Sequence, residues 1–277
     1  MTTHFQTQDD LARALAALVA RDPRLKPLLA QTDMPALRRR EGGFPGLAAV
    51  ICGQQLSTRA AAAIWARVTE AFDPFHHDAI RRARAERLGR LGLSAAKIKT
   101  LKFIAGEIAK NRLDLTALAE MPADDAHNIL TALHGIGPWT ADVYLLFCLG
   151  HGDAWPAGDL AIQEAIKVAF GLPTRPTVKE MAKLGEAWRP WRGAAAHLFW
   201  AYYRVAKAPG FEAVLPPETA AATTTKSPAN PSRKRTADLA KSAASPLPAM
   251  RGEVGATRRV RERLRKKDAN RNKAGQA

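Results

Sequence analysis

No stretch of residues 1–209 alternates apolar and polar side chains over the length of a strand, whereas a 3.6-residue apolar period recurs throughout. That regularity restricts the chain to packed helices. It predicts them over 9–20, 45–53, 57–71, 76–90, 95–110, 123–133, 138–149, 159–170, 177–187 and 192–206. The punctuation agrees, since Pro122, Pro138 and Pro176 fall at or near helix starts, where a missing N–H costs nothing. Gly89, Gly92, Gly150 and Gly171 follow predicted helix ends. The expected fold class is all-α.

The pattern stops after Gly210. Residues 210–277 have no aromatic beyond Phe211 and carry fifteen Lys/Arg against six Asp/Glu, so they hold +9 of the chain's net charge of +16. A segment so poor in large apolar groups cannot bury enough surface to offset its ordering entropy. It is expected to be a disordered basic tail, either a solubilising extension or an arm on a phosphate backbone. The folded domain is expected over 1–209. Its size and the chain's 47% hydrophobic content suffice for a sizeable core.

A strongly basic chain favours a polyanionic partner, because Lys and Arg near phosphates gain attraction and release condensed counterions. Nucleic acid leads. No apolar run is long enough to span a bilayer, and the first residues lack the charged-then-apolar pattern of a leader. The expectation is a soluble, monomeric protein of the bacterial cytoplasm, associated with the nucleoid and not with membranes. Cys52 and Cys148 are the only cysteines, and the seven histidines include no HExxH and no pair spaced by three residues. Neither an iron–sulfur cluster nor a Cys-ligated zinc is expected.

One turn breaks the helical run in a distinctive way. In "LHGIGPWTADV" (133–143) a predicted helix ends, two glycines bracket Ile136, and the next helix starts at Pro138. Gly135 and Gly137 let backbone approach another surface closely, and the N–H groups of the new helix start can hold a phosphate without a cationic side chain. Twenty residues later Asp159 follows a Gly/Pro-rich loop and precedes an apolar helix. Taken alone it is an ordinary N-cap. A second role is compatible with the first, because N–H donors at a helix start favour a charged carboxylate, as chemistry beside a developing cation requires. Asp142 and Asp153 are weaker candidates.

The pattern L-x-G-I-G-x-W-T-A followed by an aspartate resembles the helix-hairpin-helix (HhH-GPD) superfamily of DNA glycosylases. Three further segments resemble that superfamily's 3-methyladenine glycosylase II branch, in the same order. They are "GLAAVICGQQLSTRAAAAIWARV" (46–68), "LSAAKIKTLKFIAGEI" (93–108) and "WRPWRGAAAHLFW" (188–200). The resemblance covers residues 44–205. It implies a two-lobed fold with the cleft between the lobes, double-stranded DNA containing alkylated bases as partner, and Asp159 as the catalytic carboxylate opposite C1′ of an everted nucleotide.

By the same resemblance Gln54, Gln55, Ser57, Gly135, Gly137 and Thr140 contact DNA, with Gln55 as the wedge in the vacated stack. The main-chain carbonyls of Thr131, Leu133 and Ile136 are the expected ligands of a structural Na or K ion. Members that also cut the strand carry a lysine after the hairpin, where this chain has Trp139. The implied enzyme is therefore monofunctional, a hydrolase using water and needing no cofactor. Alkylation at N3 or N7 makes a purine cationic, and indole faces attract cations, so Trp139 and Trp188 are the expected pocket walls. A charged purine leaves without protonation, which accounts for one carboxylate instead of the usual glycosidase pair. Alternatives are a glycosylase for hypoxanthine or 8-oxoguanine, or a non-catalytic hairpin module that binds DNA.

Overall fold

The computed structural model describes residues 4–208. The basic segment from 210 onward lies outside them. Twelve α-helices occur among the described residues: α1 (Gln8–Arg21), α2 (Lys26–Thr32), α3 (Gly43–Gly53), α4 (Thr58–Ala71), α5 (His77–Arg82), α6 (Ala85–Arg90), α7 (Ala95–Ala109), α8 (Ala123–Thr131), α9 (Pro138–Tyr144), α10 (Leu160–Ala169), α11 (Val178–Glu186) and α12 (Arg192–Ala206). No strand occurs among them, and one isolated antiparallel bridge joins His4 to His151.

Local chemistry sets several boundaries. Thr7 and Thr177 open α1 and α11 with capping boxes, each pairing with an acidic residue three positions on, Asp10 and Glu180. Ser57 and Ser94 cap α4 and α7 through their hydroxyls. Two boundaries differ from the sequence expectation. The run 76–90 is two helices, broken at Ala83 and Arg84 in extended backbone; the Arg81 and Ala83 carbonyls freed near the break accept the Lys102 ammonium at 2.8 and 2.5 Å. The run 138–149 leaves α-helix after Tyr144 and closes as a π-helical turn, Leu145–Leu149, ended by Gly150 in the left-handed region.

The helices pack in two groups. In one, α12 lies against α1, α2 and α10; in the other, α3 contacts α4, α7 and α9, α7 also holds α5 and α6, and α8 pairs with α9. One continuous apolar core runs through both, from Phe5, Leu11 and Leu15 to Leu47, Ile51, Leu101, Tyr144 and Tyr202. The π turn joins the groups, its Phe147 lying 5.2 Å from Trp200 of α12 and its backbone contacting α3 and α8. The all-α fold in two groups of helices agrees with the sequence expectation.

Candidate active site

Asp159 is the N-cap of α10 and gathers four donors. Its Oδ1 accepts the backbone N–H groups of Ala161 and Ile162 at 3.0 and 3.1 Å, together with the Trp200 indole Nε1–H at 3.1 Å. Its Oδ2 accepts the Trp139 indole Nε1–H at 2.8 Å. The cap bonds alone would fix one oxygen. The two indoles, from α9 and α12, fix the plane of the whole carboxylate and leave Oδ2 the less committed oxygen.

The carboxylate lines a cleft of about 620 Å³ where the two helix groups meet. Trp139 and Val143 of α9 and Trp65 of α4 line it from one group, Trp200 of α12 lines it from the other, and Phe147 of the π turn lies with them. Val143 presents an aliphatic side chain one turn beyond Trp139, while Tyr144 turns into the core, fully buried, and donates its hydroxyl to the Gly43 carbonyl at 3.3 Å. Arg38, Arg40 and Glu41, from the segment between α2 and α3, complete the lining.

Trp188 is not a wall of this cleft, contrary to the sequence expectation. Only 1% exposed, it donates its indole N–H to Asp22 Oδ2 at 3.0 Å and packs against Trp155 and Phe199 at 5.3 and 5.2 Å. Asp22 also holds the Arg24 guanidinium through two bonds of 2.8 Å. Burial opposes that carboxylate's charge, but Arg24 and the indole outweigh it and keep the Asp22 pKa below its ordinary value. The second indole at Asp159 belongs to Trp200, which was not among the expected pocket walls. A signal was present: Trp200 shares the solvent-side face of α12 with Tyr203, Arg204 and Lys207, at spacings of three, four and seven residues.

The hairpin is formed as its glycines require. Gly135 adopts φ +81°, and a Cβ there would overlap the Thr100 hydroxyl of α7. Gly137 has open space around it and is the N-cap of α9. Ile136 is buried and plugs the turn into the core. Because Pro138 lacks an N–H, the first free amides of α9 are those of Trp139 and Thr140. Thr140 itself needs correction as a side-chain contact to DNA. It is buried, and its hydroxyl accepts the Gln54 side-chain amide at 2.9 Å.

That amide also reaches the Gly135 carbonyl at 3.4 Å, so Gln54 ties the end of α3 to the hairpin. Gln55 is exposed with φ +57°, an uncommon conformation for a residue with a side chain, and beside it Leu56 is 40% exposed at the cleft rim. Ser57 is committed to the cap of α4. Lys97 closes the junction by donating to the Cys52 carbonyl at 2.8 Å. Both cysteines are buried free thiols, each with its pKa pushed up to about 12 by burial.

The two weaker aspartate candidates serve another network. Asp153 bonds Arg192 and Arg189, which also share Asp124. Asp142 pairs with His127 Nδ1 at 2.8 Å. That bond raises the His127 pKa, and burial raises that of Asp142. Asp124, His127, Asp142, Asp153 and Arg192 line a second cavity of about 460 Å³, which shares Trp139 with the first.

Comparison with known proteins places these features in a family context. Residues 48–190 match the family model described as HhH-GPD superfamily base excision DNA repair protein. A probable bifunctional transcriptional activator/DNA repair enzyme of Mycobacterium tuberculosis is 29% identical over 68% of this chain, a match that spans only 39% of its own length. DNA-3-methyladenine glycosylase 1 of Schizosaccharomyces pombe is 32% identical over 57% of this chain and 71% of its own. Among solved structures, the S. pombe 3-methyladenine DNA glycosylase in complex with abasic DNA superposes with a TM-score of 0.63 at 28% identity, covering 72% of this chain and 99% of that one.

Proposed function

Since this chain belongs to the HhH-GPD superfamily of base excision DNA repair proteins, we propose that it is a monofunctional DNA glycosylase that hydrolyses the N-glycosidic bond of alkylated purines, chiefly 3-methyladenine, in duplex DNA. The observation that carries this reading is one carboxylate, Asp159, held by two indole N–H groups and two backbone amides at the wall of an aromatic cleft.

The chemistry follows from that arrangement. A base within a duplex is out of reach, so the nucleotide swings into the cleft, and a damaged base costs least to extrude. Gln55 and Leu56, exposed at the α3–α4 junction, are placed to fill the vacated stack. Trp139 and Trp200 offer indole faces to a cationic purine, an attraction of about 0.5–2 kcal/mol each. As the C1′–N bond breaks, the electron pair leaves with the purine and positive charge develops on the sugar. The fixed Asp159 carboxylate stabilises that charge without reorganising. Water then adds at C1′ and loses a proton, leaving an abasic site. Trp139 stands where a lyase would need an amine, so no Schiff base to the sugar forms and the strand stays intact.

Binding to the backbone falls to the hairpin. The free amides of Trp139 and Thr140 and the glycines 135 and 137 suit a phosphate. The Thr131, Leu133 and Ile136 carbonyls fit a monovalent cation there, since hard oxygen donors suit such ions; the Leu133 oxygen accepts the Ile136 amide at 3.2 Å and retains a second lone pair. We assign the activity to a monomer acting at the bacterial nucleoid, with the domain ending near residue 209. No helix among the described residues is long and apolar enough to cross a membrane.

Single-turnover release of 3-methyladenine from a methylated duplex tests the proposal. Asp159→Asn is expected to reduce release at least a hundredfold while leaving duplex affinity within a few-fold. Wild-type protein that binds the duplex but creates no alkali-labile sites would instead mark a non-catalytic module.

A further inference from the structure

One wall of the cleft takes no part in holding Asp159. Helix α3 packs against both α4 and α9, so Gly46, Ala49 and Gly53, which line the cleft from α3, form a floor of small groups between them. Trp139 of α9 stands on one side of that floor, bonded to Asp159 at 2.8 Å, and Trp65 of α4 stands on the other. Thr58, Ala61, Ala62 and Trp65 share one face of α4, at spacings of three, four and seven residues, and all four line the cleft. The first three are small, so Trp65 decides how far the cleft extends on that side. Among the described residues it is the one aromatic ring that α3 and α4 give to the cavity. Trp139 and Trp200 commit their N–H groups to Asp159, whereas the Trp65 N–H has no hydrogen-bond partner among the described residues. Packing fixes it instead. The half-buried indole meets Phe75 edge-on at 4.9 Å and 69°, and Phe75 stacks on the buried Phe44 of α3 at 5.6 Å and 7°. Trp65 is thus braced against the helix that supplies the floor, and swinging it aside would break that packing.

We propose, resting on the glycosylase reading above, that Trp65 is a specificity-determining residue that limits the size of the alkyl group an everted purine can carry. A purine seated between Trp139 and Trp200, with C1′ at Asp159, has Trp65 as its remaining wall across the small groups of α3. A methyl group is accommodated above that floor. A substituent the size of a ring runs into an indole that is already in place and cannot yield without losing Phe75. In an apolar pocket a misfit of one methylene changes specificity tenfold or more, so a braced ring suffices to separate small from bulky adducts. The same indole presents a further π face to a cationic purine and favours the methylated base it admits.

The test is single-turnover release of purines by the full-length protein from duplex DNA alkylated with a methylating or a benzylating reagent, the freed N3- and N7-alkylpurines being separated by chromatography. Both adducts are cationic and differ only in bulk. The wild type is expected to free methylated purines at least tenfold faster than benzylated ones. Trp65→Ala should raise the benzyl-to-methyl ratio about tenfold, while release of methylated purines falls about threefold with the lost π face. Trp65→Phe keeps a ring of shorter reach beside Phe75, so it should move the ratio in the same direction by a smaller factor. That variant decides the matter if the alanine protein does not fold. Equal losses on both adducts, with the ratio unchanged, would make Trp65 a packing residue and overturn the proposal. A wild type that frees both adducts at one rate would overturn it as well. No release of methylated purines by the wild type would overturn the glycosylase reading itself, a separate outcome.

Discussion

Trp200 gives Asp159 two things, an indole N–H to Oδ1 and a ring at the cleft, and these can be removed separately. Trp200→Phe keeps a ring and deletes the donor; its base-release rate should fall about tenfold, as for one lost bond to a charged group, with the unfolding midpoint nearly unchanged. Trp188→Phe should do the opposite, because it strips a donor from the buried Asp22 carboxylate. Stability should drop by about 1–3 kcal/mol in urea denaturation, while activity per folded molecule persists. Equal activity losses in the two variants would contradict this division of roles. Asp159 and Trp139 were legible because a short motif fixes them to the hairpin and the next helix start. The choice between Trp188 and Trp200 was not, since the Trp188 partner, Asp22, lies 166 residues away in sequence, and no local pattern pairs an indole with a carboxylate at that separation.

The hairpin with its flanking helices acts as one element, seated on α7 through Gly135 and pinned to α3 by Gln54. Gly135→Ala introduces a Cβ into the Thr100 hydroxyl at φ +81°, so either α7 or the turn must move. The expected result is a stability loss of about 1–3 kcal/mol. Affinity for damaged and undamaged duplex should weaken by the same factor, because the turn contacts the backbone and not the base. Fluorescence anisotropy on both duplexes checks this, and an effect confined to the damaged duplex would place the turn in base recognition instead. Helix existence was legible from period and punctuation for α1 and for α3 to α12, with α5 and α6 read as one run. The slip to a π turn at Leu145–Leu149 was not, because the apolar run there is continuous and periodicity carries no trace of which carbonyl each amide chooses. Helix α2 escaped notice because Pro27 sits within its first turn and the helix spans only seven residues.

At the scale of the molecule, α12 joins the N-terminal helices to the cleft, and His197 lies at its middle. Its ring meets Phe5 from the N-terminal segment at 6.1 Å, Phe147 from the π turn at 5.7 Å and Trp200 at 6.3 Å. Nδ1 is bonded to the Gly193 carbonyl at 2.8 Å, whereas Nε2 is buried without a partner. The absence of strands made the all-α class legible, but this convergence of two distant segments on one imidazole of α12 was not, because a histidine on an apolar helix face reads as any core residue. Burial lowers the His197 pKa from 6.5 to about 4, with Arg38 adding repulsion. In the unfolded chain the imidazole takes up a proton below pH 6.5, while the native state refuses it until about pH 4. The unfolded state thus binds more protons across that interval, and stability falls steadily as pH drops through it, levelling off below. His197→Leu removes the titration and keeps an apolar group of similar bulk. Its unfolding midpoint should change less than that of the wild type between pH 6.5 and 4, read by thermal melts in buffers of matched ionic strength. Parallel curves for the two proteins would assign the acid sensitivity to the ion pairs around Arg192. Because His197 also packs against Phe147 and Trp200, the acid loss predicted for the wild type should reach base release and global unfolding together, and not as separate steps.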